Sequence, residues 1–127
     1  MAVDETKNCV DSILTNVNGD KKIIIIDNAS PNNSFSILSE LFANDNTVDV
    51  ITTDNNLGFA CGNNFGYRYA LDKYQPDFIV VMNNDMEILD ADFQNGFIKA
   101  YNKYRYDILG PDIYPTKKKY HQNPQTR

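Results

Sequence analysis

The sequence predicts an α/β protein: a three-layer α/β/α sandwich around a mostly parallel sheet. Helical and extended patterns alternate along the chain in the order α-β-α-β-α-β-α-β, the signature of sheets wound through helical crossovers. Two runs, residues 23–26 and 78–82, are short, apolar and mostly β-branched, as strands buried on both faces are. Each run stops at a polar cluster, Asp27-Asn28-Ala29-Ser30 in one case and Asn83-Asn84-Asp85 in the other. Ligands of open parallel sheets sit beyond the carboxyl ends of the strands, so these two clusters are the first places to look for a site.

In chain order, residues 4–17 form a helix. Thr6, Cys9, Val10, Ile13, Leu14 and Val17 recur at three- and four-residue spacing, Asp4 can cap the start, and Gly19 supplies a residue free to take positive φ at the end. Cys9 on that stripe reads as a small core residue. Residues 22–27 are the first strand, and a turn cluster holding Pro31 leads to a helix opened by Asn33 or Ser34, with Phe35, Leu38, Leu41 and Phe42 inward. Residues 48–53 are the second strand. Residues 56–66 then set three glycines and three amides among aromatics, a loop after which a helix runs from about Asn63 to Tyr74. The strand at 78–82 follows, then a helix over 91–106 capped by Asp90 with Phe93, Phe97, Ile98 and Tyr101 inward, and a short strand at 107–109. Residues 111–127, rich in Pro, Lys and Gln, read as a loop or tail, and the sole histidine, His121, lies there.

Composition bounds the function. The chain has 127 residues, enough for one domain of modest core, spanning 1–127. A formal net charge of −5 argues against nucleic acid as a partner, though not against a phosphorylated small molecule bound with a cation. Two cysteines make no disulfide framework and fit a reduced, cytoplasmic setting. No stretch is long and apolar enough to span a bilayer, and residues 1–5 lack the character of a signal peptide.

Each motif has a plain structural reading beside a functional one. Asp85 at a strand end can hold Mg²⁺ or Mn²⁺ through oxygen, and Asn84 can bond a ribose hydroxyl; alternatively the cluster simply starts a turn. Asp27 and Asn28 can read the polar edge of a nucleobase, or they form an Asx-type turn into the next helix. The Gly-rich stretch lets backbone approach a ligand closely, or it is a long capping loop.

Taken together, the three motifs resemble those of the family 2 glycosyltransferases of the GT-A fold, in particular the rhamnosyltransferase-like branch. In that branch a strand ends in Asp-Asn-Xaa-Ser, then comes Asn-Xaa-Gly-Phe-Ala-Xaa-Gly-Asn-Asn-Xaa-Gly, then a strand ending in Asn-Xaa-Asp. Here these stand at Asp27–Ser30, Asn56–Gly66 and Asn83–Asp85, and the likeness runs from about Thr6 to Tyr114. The resemblance implies a nucleotide-sugar site made by Asp27, Asn28 and Ser30 at the nucleobase, Asn56 and Gly58 near the nucleotide, Asn63 and Asn64 toward its sugar-phosphate, and Asn83 and Asn84 beside Asp85, the metal ligand. Asn83 stands where the family's metal motif usually has its first Asp, which removes one negative charge. The implied reaction moves a sugar from a nucleoside diphosphate sugar, UDP- or dTDP-linked, to a saccharide or lipid-linked acceptor in bacterial cell-surface polysaccharide synthesis, with membrane association open to the full-length protein.

Two departures from the family pattern shape further expectations. The family's opening strand, central in its sheet between those at 23–26 and 78–82, has no counterpart here, so those two strands are expected to pair directly or a homodimer to cover the gap. The acceptor half with its general base is also without counterpart, and no residue here is assigned that catalytic role. The competing readings are a non-catalytic nucleotide-sugar-binding or regulatory module, a phospho-receiver domain, which the Gly58–Gly66 stretch does not suit, and a P-loop hydrolase, which lacks its Gly-Xaa₄-Gly-Lys-Ser/Thr.

Overall fold

The computed structural model describes residues 1–115. The chain divides into two compact units, Met1–Phe93 and Gln94–Arg127. In the first, α1 (Val3–Asn16), β1 (Ile23–Asp27), α2 (Ser34–Leu41), β2 (Val48–Thr52) and α3 (Gly58–Tyr74) follow one another. β1 and β2 pair in parallel with Ile23 opposite Val48 and Asp27 opposite Thr52.

The alternation of side chains along β1 builds the layers. Ile23 and Ile25 face one way and join Val10 of α1, Leu38 of α2, Phe42 just past its end, and Val48 in one buried cluster. Ile26 faces the other way, against α3. There a Cβ on Gly66 would lie 2.1 Å from Ile26 Cδ1, so glycine is what lets the helix approach the strand. The buried stripe of α3 is Gly62, Gly66 and Ala70, one small residue per turn. Helices therefore cover both faces of a small parallel sheet, the expected α/β/α layering in reduced form.

Helix ends follow local chemistry. α1 starts one residue earlier than expected, at Val3, with Ala2 rather than Asp4 at the cap, and Thr6 Oγ1 donates to the Ala2 carbonyl at 2.7 Å. Gly19 takes φ 85°, as the turn required. α3 ends where Gln75 adopts a left-handed φ of 47° and its N–H bonds the Leu71 carbonyl.

Several expectations give way. Residues 78–82 form no strand: Phe78, Ile79, Val80 and Val81 are 37% to 50% exposed, and the sheet holds only β1 and β2 among the described residues. A parallel strand is stable only beside a neighbour with its faces covered, and among the described residues this run joins no sheet. Direct pairing with β1 is thus not what the chain does. The segment after it is held by α1 instead. Asn84 Nδ2 donates to Thr6 Oγ1 (3.1 Å), the Ile88 N–H to Ser12 Oγ (3.0 Å), and Asn16 Nδ2 to the Ile88 carbonyl (2.8 Å). The strand at 107–109 is also absent, with Ile108 91% exposed.

In the second unit, α4 (Phe93–Tyr104) is shorter than expected and buries no residue completely. Arg105, at φ 50°, turns the chain after it, and Tyr106 folds back to donate to the Phe97 carbonyl at 2.8 Å. Asp90 does cap the turn leading into α4, accepting the Asp92 N–H at 2.8 Å. The tail expected over 111–127 is described only to residue 115, and His121 lies outside the described residues.

Candidate functional site

Strand β1 delivers Asp27 to the rim at its carboxyl end, but the side chain turns inward. Asp27 is 1% exposed, and its carboxylate accepts the Ser30 N–H at 2.7 Å and the Ser34 hydroxyl. Burial opposes ionisation of this carboxyl. The bonds from Ser34 and Ser30 and the nearby Met1 ammonium outweigh it and hold the group below the usual carboxylate range. Asp27 thus ties the 28–33 turn to the first residue of α2, as the Asx-type reading describes. Ser30 Oγ accepts from the Met1 ammonium at 3.0 Å.

Asn28 joins three elements. Its Nδ2 donates to Asn56 Oδ1 (3.2 Å) and the Gly58 carbonyl (3.1 Å), and its Oδ1 accepts the Leu57 N–H (3.0 Å) and lies within bonding distance of Thr53 Oγ1 (3.0 Å). Asn56 Oδ1 also accepts the Gly58 N–H at 2.9 Å. These two amides satisfy donors that a helix start leaves open. That is why α3 begins at Gly58 and not near Asn63, and why the stretch read as a loop is mostly helix. A Cβ on Gly62 would meet Asn28 Nδ2 at 3.1 Å, so this glycine also serves the joint. Of the three glycines in this stretch only Gly58, at φ 75°, uses the conformational freedom of its type. Asn63 is half-buried and Asn64 exposed on the first two turns of α3.

The third cluster stands on the flank of α1. Asp85 and Asn83 are exposed, Asn84 is half-buried against Thr6, and the Asn83 carbonyl accepts from Cys9 Sγ at 3.8 Å and from the Met86 N–H at 3.3 Å. Burial first, then the charges of Asp85 and Glu87, push the Cys9 thiol up, which suits an inert core residue. The first turn of α1 and the residues just before it touch both sides of the rim: Met1 reaches Ser30 and Asn32, and Thr6 reaches Asn84. The turn after β1 and Asn83-Asn84-Asp85 therefore share one rim, but of the two acidic residues only Asp85 faces solvent.

Asp85 offers one hard oxygen donor group, of the kind Mg²⁺ or Mn²⁺ takes. Among the described residues no three His, Cys, Asp or Glu side chains gather into a cage. Such ions are commonly held by one or two carboxylates completed by substrate phosphates, and the residues here fit a cation in that way only.

Sequence reading missed two sets of residues. Thr53, buried behind Asn28, supports the rim from just past the end of β2; a hydroxyl at the last position of the expected strand was the only signal. The second is a cluster away from the rim. Asp49 accepts from Tyr69 Oη (2.9 Å), Lys73 Nζ (2.9 Å) and the Tyr74 hydroxyl. The four-residue spacing of Tyr69 and Lys73 was visible, but their partner is twenty residues away on a strand.

Among known proteins, the model for the family described as Glycosyl transferase family 2 matches residues 3–127. The low-salt glycan biosynthesis hexosyltransferase Agl10 of Haloferax volcanii is 27% identical over 104 residues, which cover 82% of this chain and 32% of that protein. The chain thus spans about a third of that relative's length. No solved structure gives a significant match.

Proposed function

Because the chain belongs to glycosyl transferase family 2, we propose that it is the donor-binding part of a sugar transferase that takes a nucleoside diphosphate sugar. The observation that carries this is the shared rim: the turn after β1, the amide-capped start of α3 and the exposed Asp85 meet around the first turn of α1. In this reading Asp27, Asn28 and Asn56 act mainly by fixing the rim's backbone, since their polar atoms are already bonded. Ser30, Gly58, Asn63, Asn64, Asn83 and Asn84 border the nucleotide sugar, and Asp85 holds the cation. Mg²⁺ or Mn²⁺ bound there would neutralise charge developing on the departing diphosphate.

For the whole protein the proposal is transfer of a sugar, UDP- or dTDP-linked, to a saccharide or lipid-linked acceptor in cell-surface polysaccharide synthesis, in the cytoplasm or at its membrane. The relative's name adds hexose as the class of sugar to try first. We assign the rhamnosyltransferase-like branch from the Asn56–Gly66 motif. We also assign a strand between β1 and residues 78–82, supplied from elsewhere in a longer chain or replaced by a homodimer contact. The edge of β1 that is unpaired among the described residues and the exposed apolar run at 78–81 support this.

Isothermal calorimetry with UDP, dTDP and GDP tests the core of it. One nucleotide should bind in Mn²⁺, and chelation or Asp85→Ala should weaken it about tenfold or more, ~1.4 kcal/mol. Absence of binding by all three in Mn²⁺, or binding indifferent to both metal and Asp85, would overturn the assignment.

A further inference from the structure

An asparagine side chain can be attacked by the backbone nitrogen of the residue that follows it. Glycine in that following position removes the Cβ that would stand in the way of so close an approach. The sequence holds two such pairs, Asn18-Gly19 and Asn95-Gly96. The structure sets them in opposite surroundings.

Asn18 and Gly19 lie in the open connection between α1 and β1. The helix stops at Asn16, and the Val17 N–H on the Ile13 carbonyl, at 3.0 Å, closes its end. Gly19 then turns the chain at φ 85°. Asn18, Gly19 and Asp20 are all exposed. Among the described residues neither the Asn18 side chain nor the Gly19 N–H makes a hydrogen bond. The joints of this region belong to their neighbours: Asn16 Nδ2 donates to the Ile88 carbonyl at 2.8 Å, and Lys21 Nζ to the Val17 carbonyl at 2.6 Å. Nothing has to be given up before the Gly19 nitrogen swings toward Asn18 Cγ. Asn95 and Gly96, in contrast, stand within α4. A helix fixes both backbone dihedrals and tilts each side chain toward the preceding turn, away from the nitrogen that follows. Ring closure at Asn95 therefore waits on local opening of α4.

We propose that Asn18 is a site of spontaneous deamidation in the folded protein, with water as the co-reactant. A solvent base takes the proton of the Gly19 N–H. The Gly19 nitrogen forms a bond to Asn18 Cγ, the Cγ–Nδ2 bond breaks, and Nδ2 leaves as ammonia. Water then adds to either carbonyl of the cyclic imide. Opening at the Cγ–N bond leaves aspartate; opening at the main-chain bond leaves isoaspartate, whose backbone is longer by a methylene. Nothing is oxidised or reduced. Either product adds a carboxylate to a chain of formal charge −5. The new charge stands just beyond the carboxyl end of α1, whose last turn has no basic residue, so the helix dipole opposes it. This site is separate from the rim and does not depend on the sugar-transfer reading.

The test incubates the folded full chain at mildly alkaline pH beside a sample in denaturing urea. Peptide mapping by mass spectrometry follows the exchange of NH₂ for OH at each asparagine, and an S-adenosylmethionine-dependent isoaspartyl methyltransferase counts the isoaspartate. In folded protein Asn18 should convert about tenfold or more faster than Asn95, the factor that an opening cost of ~1.4 kcal/mol in α4 imposes. In urea the two sites should convert at similar rates. Asn18→Ser should remove most of the methyl acceptance of the folded protein while keeping Gly19 and its turn. Similar rates at Asn18 and Asn95 in folded protein, a rise of about tenfold at Asn18 on unfolding, or undiminished methyl acceptance in Asn18→Ser would overturn the proposal.

Discussion

Replacing Asp27 with Asn separates a structural carboxylate from one that reads a ligand. The group is 1% exposed and accepts two bonds, from the Ser30 N–H at 2.7 Å and from the Ser34 hydroxyl. An asparagine keeps one carbonyl oxygen and turns an NH₂ toward the second donor. Hydrogen bonds to a charged acceptor contribute roughly 1.5–3 kcal/mol each, and a buried donor left unmatched costs about 1–3 kcal/mol. The easier burial of a neutral amide offsets part of this. A net loss of about 2 kcal/mol follows, which at a urea slope of roughly 1–3 kcal/mol/M lowers the midpoint by about 1 M.

The pH dependence gives the same substitution a second readout. Asp27 titrates below its unfolded value, near 3.9 for an aspartate. Its contribution to stability is therefore fully present above about pH 4 and lost as pH falls through the lower folded value. Urea unfolding at a series of pH values should show wild type and Asp27→Asn about 2 kcal/mol apart at neutral pH and converging in acid. A gap under about 0.5 kcal/mol, or one that stays constant into acid, refutes the structural role. Unchanged stability with lost nucleotide binding would assign Asp27 to the ligand instead.

Two other outcomes are expected. Gly66→Ala gains about 1 kcal/mol of helix propensity but drives its Cβ into Ile26, an overpacking cost of roughly 1–3 kcal/mol. It should destabilise the wild type and stabilise an Ile26→Val background, with a coupling of about 1 kcal/mol or more in a double-mutant cycle; stabilisation of the wild type by the full propensity gain would contradict the packing. In native protein, a thiol reagent should modify the exposed Cys61 quickly and Cys9 only on unfolding, since Cys9 is buried and its thiol pushed up; fast modification of both thiols in folded protein would sink this.

What the sequence made legible was whatever local spacing decides. The stripe of α1, that of α2 except Leu41, which was expected inward and is 45% exposed, and the runs of β1 and β2 were readable because each is amphipathic or apolar on its own account. The start of α3 was not, since its glycines resemble a turn until Asn28 and Ile26, remote in sequence, are seen pressing on Gly62 and Gly66. Residues 78–82 have the composition of a buried strand, but pairing belongs to two segments and composition to one. The Asp49 cluster was hidden for the same reason. At the rim, the order and spacing of the motifs were visible, whereas the inward turn of Asp27 depends on Ser34 closing over it.

The four-way bonding of Asn28 has a consequence for ancestry. One amide ties a strand end, a threonine and the first turn of a helix, so drift at Asn28, Asn56 or Gly62 is opposed by folding whether or not any sugar is ever moved. The signature by which such chains are recognised is then inherited as a mechanical part. It should persist in descendants that have lost their chemistry, while Asp85, which is exposed and makes no hydrogen bond or ion pair among the described residues, is the position where loss of activity would first leave a mark.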